Sequence, residues 1–158
     1  MKNKIFEDVR GLHMKFFEEF VAKEEGFGQV KEIFTTTNKK NVIRAFHFQG
    51  NPQPQQKIVK PVSGRFNVRV IDMENKKVIE YDNWTNMSDP ILVKAGNMLG
   101  YVALEDNSVM LYVADEKFVS ELNHGVHPHS FQVDWKAGES DFIISERDEK
   151  AEIAQFEY

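Results

Sequence analysis

The amino-acid sequence predicts an all-β fold, a barrel or sandwich of short antiparallel strands with one or two short helices. Two observations support this prediction. Segments rich in Val, Ile, Phe and Tyr recur along most of the chain, and residues that favour turns separate them. Helical spacing of apolar residues is confined to one short stretch near the N-terminus. Short strands at such intervals are typical of a sandwich or a barrel.

The N-terminal stretch is compatible with two kinds of secondary structure. Leu12, Phe16 and Phe20 follow the i, i+4 spacing of a helix, but the same stretch contains MKFF, which could open a strand. We expect a strand to about Phe17, followed by a short helix through Lys23.

The rest of the chain reads as a series of strands and turns. MENKK and LEDNS lie between two pairs of strand segments, and their Asn and Asp residues tolerate turn conformations, so both are expected to be hairpin loops. A last segment, SDFIISERD, is expected to be a strand that ends in a polar loop. The strand segments before it are residues 41–49, 56–62, 65–73, 76–84, 97–104, 108–114 and 130–135.

Length and composition restrict the class of protein. The chain of 158 residues has no linker or repeat, which predicts a single domain over residues 1–158. It contains no cysteine, so disulfides, thiolate metal sites and a cysteine nucleophile are excluded. The net charge of −5 disfavours a nucleic-acid partner. No run approaches the ~18 apolar residues of a membrane span, and a cytoplasmic protein is expected.

Polar residues interrupt the apolar strand at 41–49. Arg44, His47 and Gln49 lie within it, and Lys57 follows after a proline-containing loop. A base, cations and hydrogen-bonding groups inside a barrel are typical of a ligand site. Arg44 and His47 are an odd number of residues apart, so they would face opposite sides of a regular strand. Both can face one site only if the strand contains a bulge or ends there.

Four motifs in the sequence resemble one known family. NVIRAFHFQ followed by PQPQQKIV is similar to the signature of the dTDP-4-dehydrorhamnose 3,5-epimerase family: an arginine, Gly-Leu-His, an aromatic and Gln, then Gln-x-Lys-Leu-Val. Asp8-Val9-Arg10-Gly11 resembles the family's Asp-x-Arg-Gly, and Ser145-Glu146-Arg147-Asp148 its Ser-x-x-Asp. The segment from Gly64 to Asp72 resembles its glycine turn and following strand. This resemblance implies a cupin, or jelly-roll, β-barrel.

The resemblance also implies a reaction, the epimerisation of a nucleotide-linked 4-keto-6-deoxy sugar in deoxysugar or surface-glycan biosynthesis. A ketone at C4 acidifies the protons on C3 and C5, so the reaction needs a base, a group that stabilises the enolate, and an acid for the other face. The resemblance assigns the base to His47 and its charged partner to Asp148. It places Lys57 near the developing enolate oxygen.

The family resemblance implies a binding site and a partner as well. Arg10 and Arg44 would hold the diphosphate, and Gln49, Tyr112 and Phe118 would contact the substrate. No metal or organic cofactor is implied, and the family pattern predicts a homodimer whose sites take residues from both subunits. Four aromatic residues are further candidates for contact with a nucleotide base or a neighbouring subunit, although most are expected in the core: Phe17, Phe20, Phe34 and Trp84.

The sequence departs from the family at two polar positions. Leu99 stands where the family has the histidine of Ala-His-Gly, and Phe118 stands where the family has a tyrosine acid. Three interpretations follow. The enzyme inverts only one carbon, with water, Tyr112 or a relocated group as acid; the sugar or nucleotide differs; or binding is kept without catalysis. A keto-sugar isomerase of the same fold is a related alternative.

The segment HGVHPH replaces the family's Trp-Asn-Asp-Pro. Its residues His124, His127 and His129 could supply the missing acid or bind a divalent metal. A polar loop is the more common role for such a segment, and we assign it no metal.

Overall fold

The computed structural model describes residues 1–138 and 141–157, and strands make up most of its secondary structure. Two short α-helices are present in these residues, α1 (Glu19–Glu24) and α2 (Glu146–Glu149). No helix in the described ranges is long and apolar enough to cross a membrane. The strands are β1 (Lys4–Asp8), β2 (Gly11–Lys15), β3 (Glu32–Asn38), β4 (Ile43–Gln49), β5 (Lys57–Ser63), β6 (Arg65–Asp72), β7 (Lys77–Thr85), β8 (Ile91–Val93), β9 (Met98–Ala103), β10 (Ser108–Ala114) and β11 (Asn123–Gly125).

These strands form two main sheets and a separate hairpin. One sheet has the order β3-β10-β5-β8 and the other the order β11-β4-β9-β6-β7, and all strand pairs are antiparallel. The hairpin β1-β2 stands apart, and nearly all of its residues are exposed. The predicted all-β architecture with short helices is therefore confirmed.

The two sheets pack face to face over one apolar core. Val59 and Met110 of the four-stranded sheet share a buried cluster with Phe66, Val68 and Leu99 of the five-stranded sheet. Along β6, Phe66, Val68 and Val70 point into this inner cluster. The residues between them face the other side of the sheet and are buried there as well.

Both outer faces are also covered. The C-terminal segment packs Phe131 and Trp135 against Ile43 and Phe46 on the back of the five-stranded sheet. Residues around α1 cover the back of the four-stranded sheet at Ile58. The open ends between the sheets are therefore the places where a ligand can enter the barrel.

Most predicted elements agree with the structure, and three do not. MENKK lies in the hairpin loop between β6 and β7, as predicted, and the N-terminal strand and helix are present. The hairpin predicted at LEDNS is wrong, because this loop connects β9 to β10, which lie in different sheets and do not pair. The predicted strand at 130–135 is wrong, since Ser130–Gln132 is a 3-10 turn in which Phe131 has a φ of 59°. In the predicted strand SDFIISERD, Ser140 lies outside the described residues, Ile143 makes one isolated bridge with Val42, and α2 follows.

Candidate active site

A cavity of about 780 Å³ opens between the two sheets, and polar side chains from both of them line it. β4 of the five-stranded sheet contributes Arg44 and His47, while β5 and β10 of the four-stranded sheet contribute Lys57 and Tyr112. Phe118 lies in the loop before β11. The remaining lining residues are Lys31, Glu32, Ile33, Phe34, Thr36, Gln55 and Asn123.

An irregularity in β4 explains how Arg44 and His47 share this cavity. The register between β4 and β9 shifts between these two residues. Ala45 and Phe46 both pack into the apolar cluster on the back of the five-stranded sheet, so two consecutive residues face outward. The strand accommodates one extra residue there, and His47 returns to the inner side. The bulge that the sequence required is therefore present.

His47 forms a close pair with Asp148. Its Nε2 lies 2.7 Å from Asp148 Oδ1, and the aspartate is only 4% exposed. Burial by itself would raise the pKa of Asp148, but the hydrogen bond and positive charge from His47 outweigh it, and the pKa lies below its ordinary value. Asp148 is therefore a buried carboxylate whose charge faces the imidazole.

The Ser-x-x-Asp motif has a structural reason. Ser145 is the N-cap of α2, and its hydroxyl accepts a hydrogen bond from the backbone N–H of Asp148 at 3.1 Å. The cap fixes the first turn of a helix of four residues, and that turn carries Asp148 to His47.

Lys57 is a half-buried cation without a partner among the described residues. Within residues 1–138 and 141–157 its ammonium makes no hydrogen bond or ion pair, and it faces the cavity. Burial lowers the pKa of Lys57 because a charged ammonium loses hydration there. An unpaired cation in this position favours a negative charge on the ligand.

Arg44 is held in one orientation. Its Nε donates to Asn38 Oδ1 at 2.9 Å, and Asn38 in turn donates to the backbone oxygen of Ser108 at 3.1 Å. This contact uses Nε alone, and both terminal nitrogens are left for a ligand, since they make no hydrogen bond to the part of the chain that the structure describes. Two parallel N–H donors suit a phosphate.

Tyr112 lies deep in the wall. Its hydroxyl donates to the Tyr101 hydroxyl at 2.8 Å, and the Tyr101 and Thr36 hydroxyls are 2.9 Å apart. Burial raises the pKa of Tyr112 well above its ordinary value. The ring of Phe34 stacks on Tyr112 with centroids 4.6 Å apart and offers an aromatic surface at the cavity.

Two predicted site residues lie elsewhere. Gln49 is buried, and its amide is saturated by the backbone: it donates to Gln53 and Lys117 oxygens and accepts from the Val119 N–H. It therefore fixes the loop that carries Phe118. Arg10 lies in the exposed β1-β2 turn, where it pairs with Asp8 of the same hairpin, away from the cavity of its own chain.

Several other sequence-based candidates also lie outside the cavity. His129 donates its backbone N–H to His127 Nδ1 at 3.1 Å, and His124 packs on Phe48. Among the described residues, no group of three or more His, Asp or Glu side chains could hold a metal ion. Of the four candidate aromatic residues, Phe34 alone lines the cavity.

Sequence reasoning missed several lining residues. Thr36, Gln55 and Asn123 lie in segments without a strong pattern, and β3 itself was not predicted because EIFTTTN has weak alternation. The signal that could have indicated Gln55 was present, since it is the Gln of the Gln-x-Lys motif that ends at Lys57.

Comparison with known proteins identifies the family. The family model described as dTDP-4-dehydrorhamnose 3,5-epimerase matches residues 1–155. A dTDP-4-dehydrorhamnose 3,5-epimerase from Streptomyces griseus is 29% identical over 136 residues, which are 81% of this chain and 67% of that protein. A dTDP-4-dehydrorhamnose 3-epimerase from Streptomyces niveus is 26% identical over 157 residues, covering 91% of this chain and 73% of that protein.

A solved structure shows the same fold. It is dTDP-6-deoxy-D-glucose-3,5-epimerase from Legionella pneumophila in complex with dTDP-4-keto-L-rhamnose, with a TM-score of 0.86 and 20% identity over 96% of this chain and 85% of that chain. The cupin-type barrel expected from the resemblance is confirmed. With a family model that spans nearly the whole sequence, the chain belongs to the dTDP-4-dehydrorhamnose 3,5-epimerase family.

Proposed function

We propose that the cavity epimerises a nucleotide-linked 4-keto-6-deoxy sugar at a carbon next to the keto group, with His47 as the base. The class of activity follows from the family, which makes the chain a nucleotide-sugar epimerase of deoxysugar biosynthesis. The observation that supports the role of His47 is its contact of 2.7 Å with the buried Asp148 inside the cavity wall.

The geometry of the pair suits proton abstraction. If Nε2 donates its hydrogen to Asp148, Nδ1 keeps a lone pair for the substrate C–H. When the imidazole takes the proton it becomes a cation, and the carboxylate beside it stabilises that charge. Asp148 is thus a positioning residue for His47.

The other polar groups fit the remaining charges of such a substrate. The electrons of the broken C–H bond move to the C4 oxygen, and the unpaired ammonium of Lys57 would stabilise that enolate. The two free nitrogens of Arg44 would bind the diphosphate. Phe34 offers a face on which the nucleobase could stack.

We also propose that the protein acts as a homodimer. The hairpin β1-β2 exposes Ile5, Phe6 and Leu12, at 42%, 60% and 53%, and such apolar exposure is typical of an interface. A partner that packs there would bring Arg10 of one copy towards the cavity of the other. Sedimentation velocity at micromolar concentration tests this, and a monomer would contradict it. A cytoplasmic location stays a prediction.

Neither alternative function is favoured. The relatives are named as epimerases, which disfavours a keto-sugar isomerase. A protein that only binds the nucleotide would not require a histidine paired with a buried carboxylate in its ligand cavity.

The decisive experiment is NMR of a dTDP-4-keto-6-deoxy sugar with the protein in deuterated water. We expect deuterium at C3, C5 or both, and no uptake would contradict the proposal. His47→Asn should lower the exchange rate by at least ~10²-fold, the usual contribution of a general base, and leave dTDP affinity nearly unchanged. The control is His129→Asn, which lies outside the cavity. Exchange that persists in His47→Asn would exclude His47 as the base.

A further inference from the structure

We infer that Lys57 is the acid that returns a proton to the substrate carbon on the face opposite His47. This inference rests on the proposed epimerase function and adds a second role to the residue. Inversion requires that the proton leaves from one face of the carbon and that another arrives on the opposite face. The chain needs such a donor because Phe118 has no hydroxyl.

The topology places the two groups on opposite walls. His47 belongs to β4 in the five-stranded sheet, and Lys57 is the first residue of β5 in the four-stranded sheet. These sheets pack face to face, and both side chains line the same cavity between them. A planar enolate lying between the sheets would therefore present one face to each residue.

The other groups in the cavity are less suited to donate. The Tyr112 hydroxyl already donates to Tyr101 within the buried wall. Arg44 keeps its protons in proteins, and Lys31 is exposed to solvent. Lys57 is half-buried and has no partner within the described residues that holds its protons. The lowered pKa that burial gives Lys57 makes its ammonium a better acid than an exposed one.

The proton balance closes without a further reactant. The C–H bond breaks, its proton goes to His47 Nδ1, and its electron pair forms the enolate. The enolate then collapses to the ketone, and a new C–H bond forms with a proton from Lys57 Nζ. His47 loses its proton to solvent and the neutral amine of Lys57 takes one up, which restores both groups. The oxygen and the reacting carbon of an enolate are separated by one atom, so one ammonium can serve both.

The test separates isotope exchange from inversion. Without an acid on the far face, His47 can still remove a proton and return a deuteron to the same side. In Lys57→Arg, which keeps the charge but does not release a proton, we expect inversion to fall by at least ~10²-fold while deuterium uptake with retained configuration falls far less. Lys57→Gln should also lose inversion, with a larger drop in uptake because the charge is gone.

The controls make each outcome informative. Lys94→Gln makes the same change at an exposed residue that does not line the cavity, and it should leave both rates unchanged. Calorimetric dTDP binding confirms that each variant retains its cavity. If uptake and inversion fall together in Lys57→Arg, or if inversion survives in both variants, Lys57 is not the acid. No uptake by the unaltered protein would instead overturn the proposed function, and this inference with it.

Discussion

His47 and Asp148 stand 101 positions apart in the sequence, and their contact depends on two local features. The irregularity in β4 turns His47 inward, and the Ser145 cap fixes the turn of α2 that carries Asp148. The cap itself contributes only about 1 kcal/mol to stability. In the proposed reaction the effect of both features is positional, because an error of about 1 Å in a reacting group can cost ~10²-fold in rate.

A hydroxyl added at Phe118 should change the reaction. Phe118 lines the cavity, and its loop is fixed because the Gln49 amide binds the backbone on both sides of it. In Phe118→Tyr we expect the phenol to add a second proton donor, so inversion rises by ~10-fold or more or extends to another carbon. NMR of the product sugar measures this. Phe118→Leu is the control for altered packing, and an unchanged product pattern in Phe118→Tyr would contradict the prediction.

Five of the site residues that the family motifs predicted line the cavity. Gln49 and Arg10 lie elsewhere, each for a physical reason. A buried Gln can contact either a ligand or the backbone, and the loops that satisfy Gln49 come from distant parts of the chain. Arg10 lies in an exposed hairpin outside the cavity of its own chain, so it would reach a cavity only in the proposed homodimer. Residue type indicates what a side chain can bind, and the fold decides which partner is close.

At the scale of elements, one of the two three-residue strands among the described residues packs directly against His47. β11 has three residues, and its Gly125 pairs with His47. A Cβ at Gly125 would lie 2.9 Å from His47 Cδ2 and 3.0 Å from the Phe46 oxygen. β11 therefore packs so closely against the imidazole that only glycine fits at position 125 without a shift.

Gly125→Ala should displace the imidazole from its position. Because both neighbours are closer than a methyl group tolerates, β11 or His47 has to move, and we expect kcat to fall by at least ~10-fold with a smaller change in KM. Steady-state kinetics on the 4-keto sugar measures this split. Gly138→Ala is the matched control, since a Cβ there meets nothing within 4 Å. Equal kinetics for the two variants would show that the close contact has no effect on the base.

The wrong strand prediction also belongs to the scale of elements. Phe131, Val133 and Trp135 alternate with polar residues, as in a strand. In the structure Phe131 and Trp135 are buried, but they cover the back of the five-stranded sheet from an irregular segment. Alternation of apolar and polar residues indicates which residues are buried. It does not distinguish a strand from an irregular segment that packs over a sheet.

Across the whole molecule, a buried lysine ties peripheral segments to the barrel. Lys60 of β5 is 2% exposed and donates to the backbone oxygens of Asn86 and Ser88. Asp89, which follows them, accepts from the Asn3 N–H at 2.9 Å and pairs with Lys2. One cluster thus joins the four-stranded sheet, the turn after β7 and the N-terminal segment.

Stability should depend on Lys60 in alkaline solution. Burial lowers its pKa to about 8, although the nearby Asp89 carboxylate acts in the opposite direction. In the unfolded chain the pKa is ~10.4, so between these values the unfolded state binds more protons and the free energy of unfolding rises with pH. Urea unfolding between pH 7 and 10 should show this gain relative to Lys60→Met. Parallel pH profiles for the two proteins would contradict the lowered pKa.

The seven residues between β4 and β5, numbers 50–56, carry the chain from one sheet to the other. They form a spacer between the His47 strand and the Lys57 strand, and Gln55 within this spacer lines the cavity. Insertions and deletions concentrate in loops during evolution. A change of length here would alter the cavity wall at Gln55, and with it the position of the sugar, while the packed sheets keep His47 and Lys57 in place. Libraries that vary the length of this spacer are therefore a source of epimerases that act at a different carbon of the sugar.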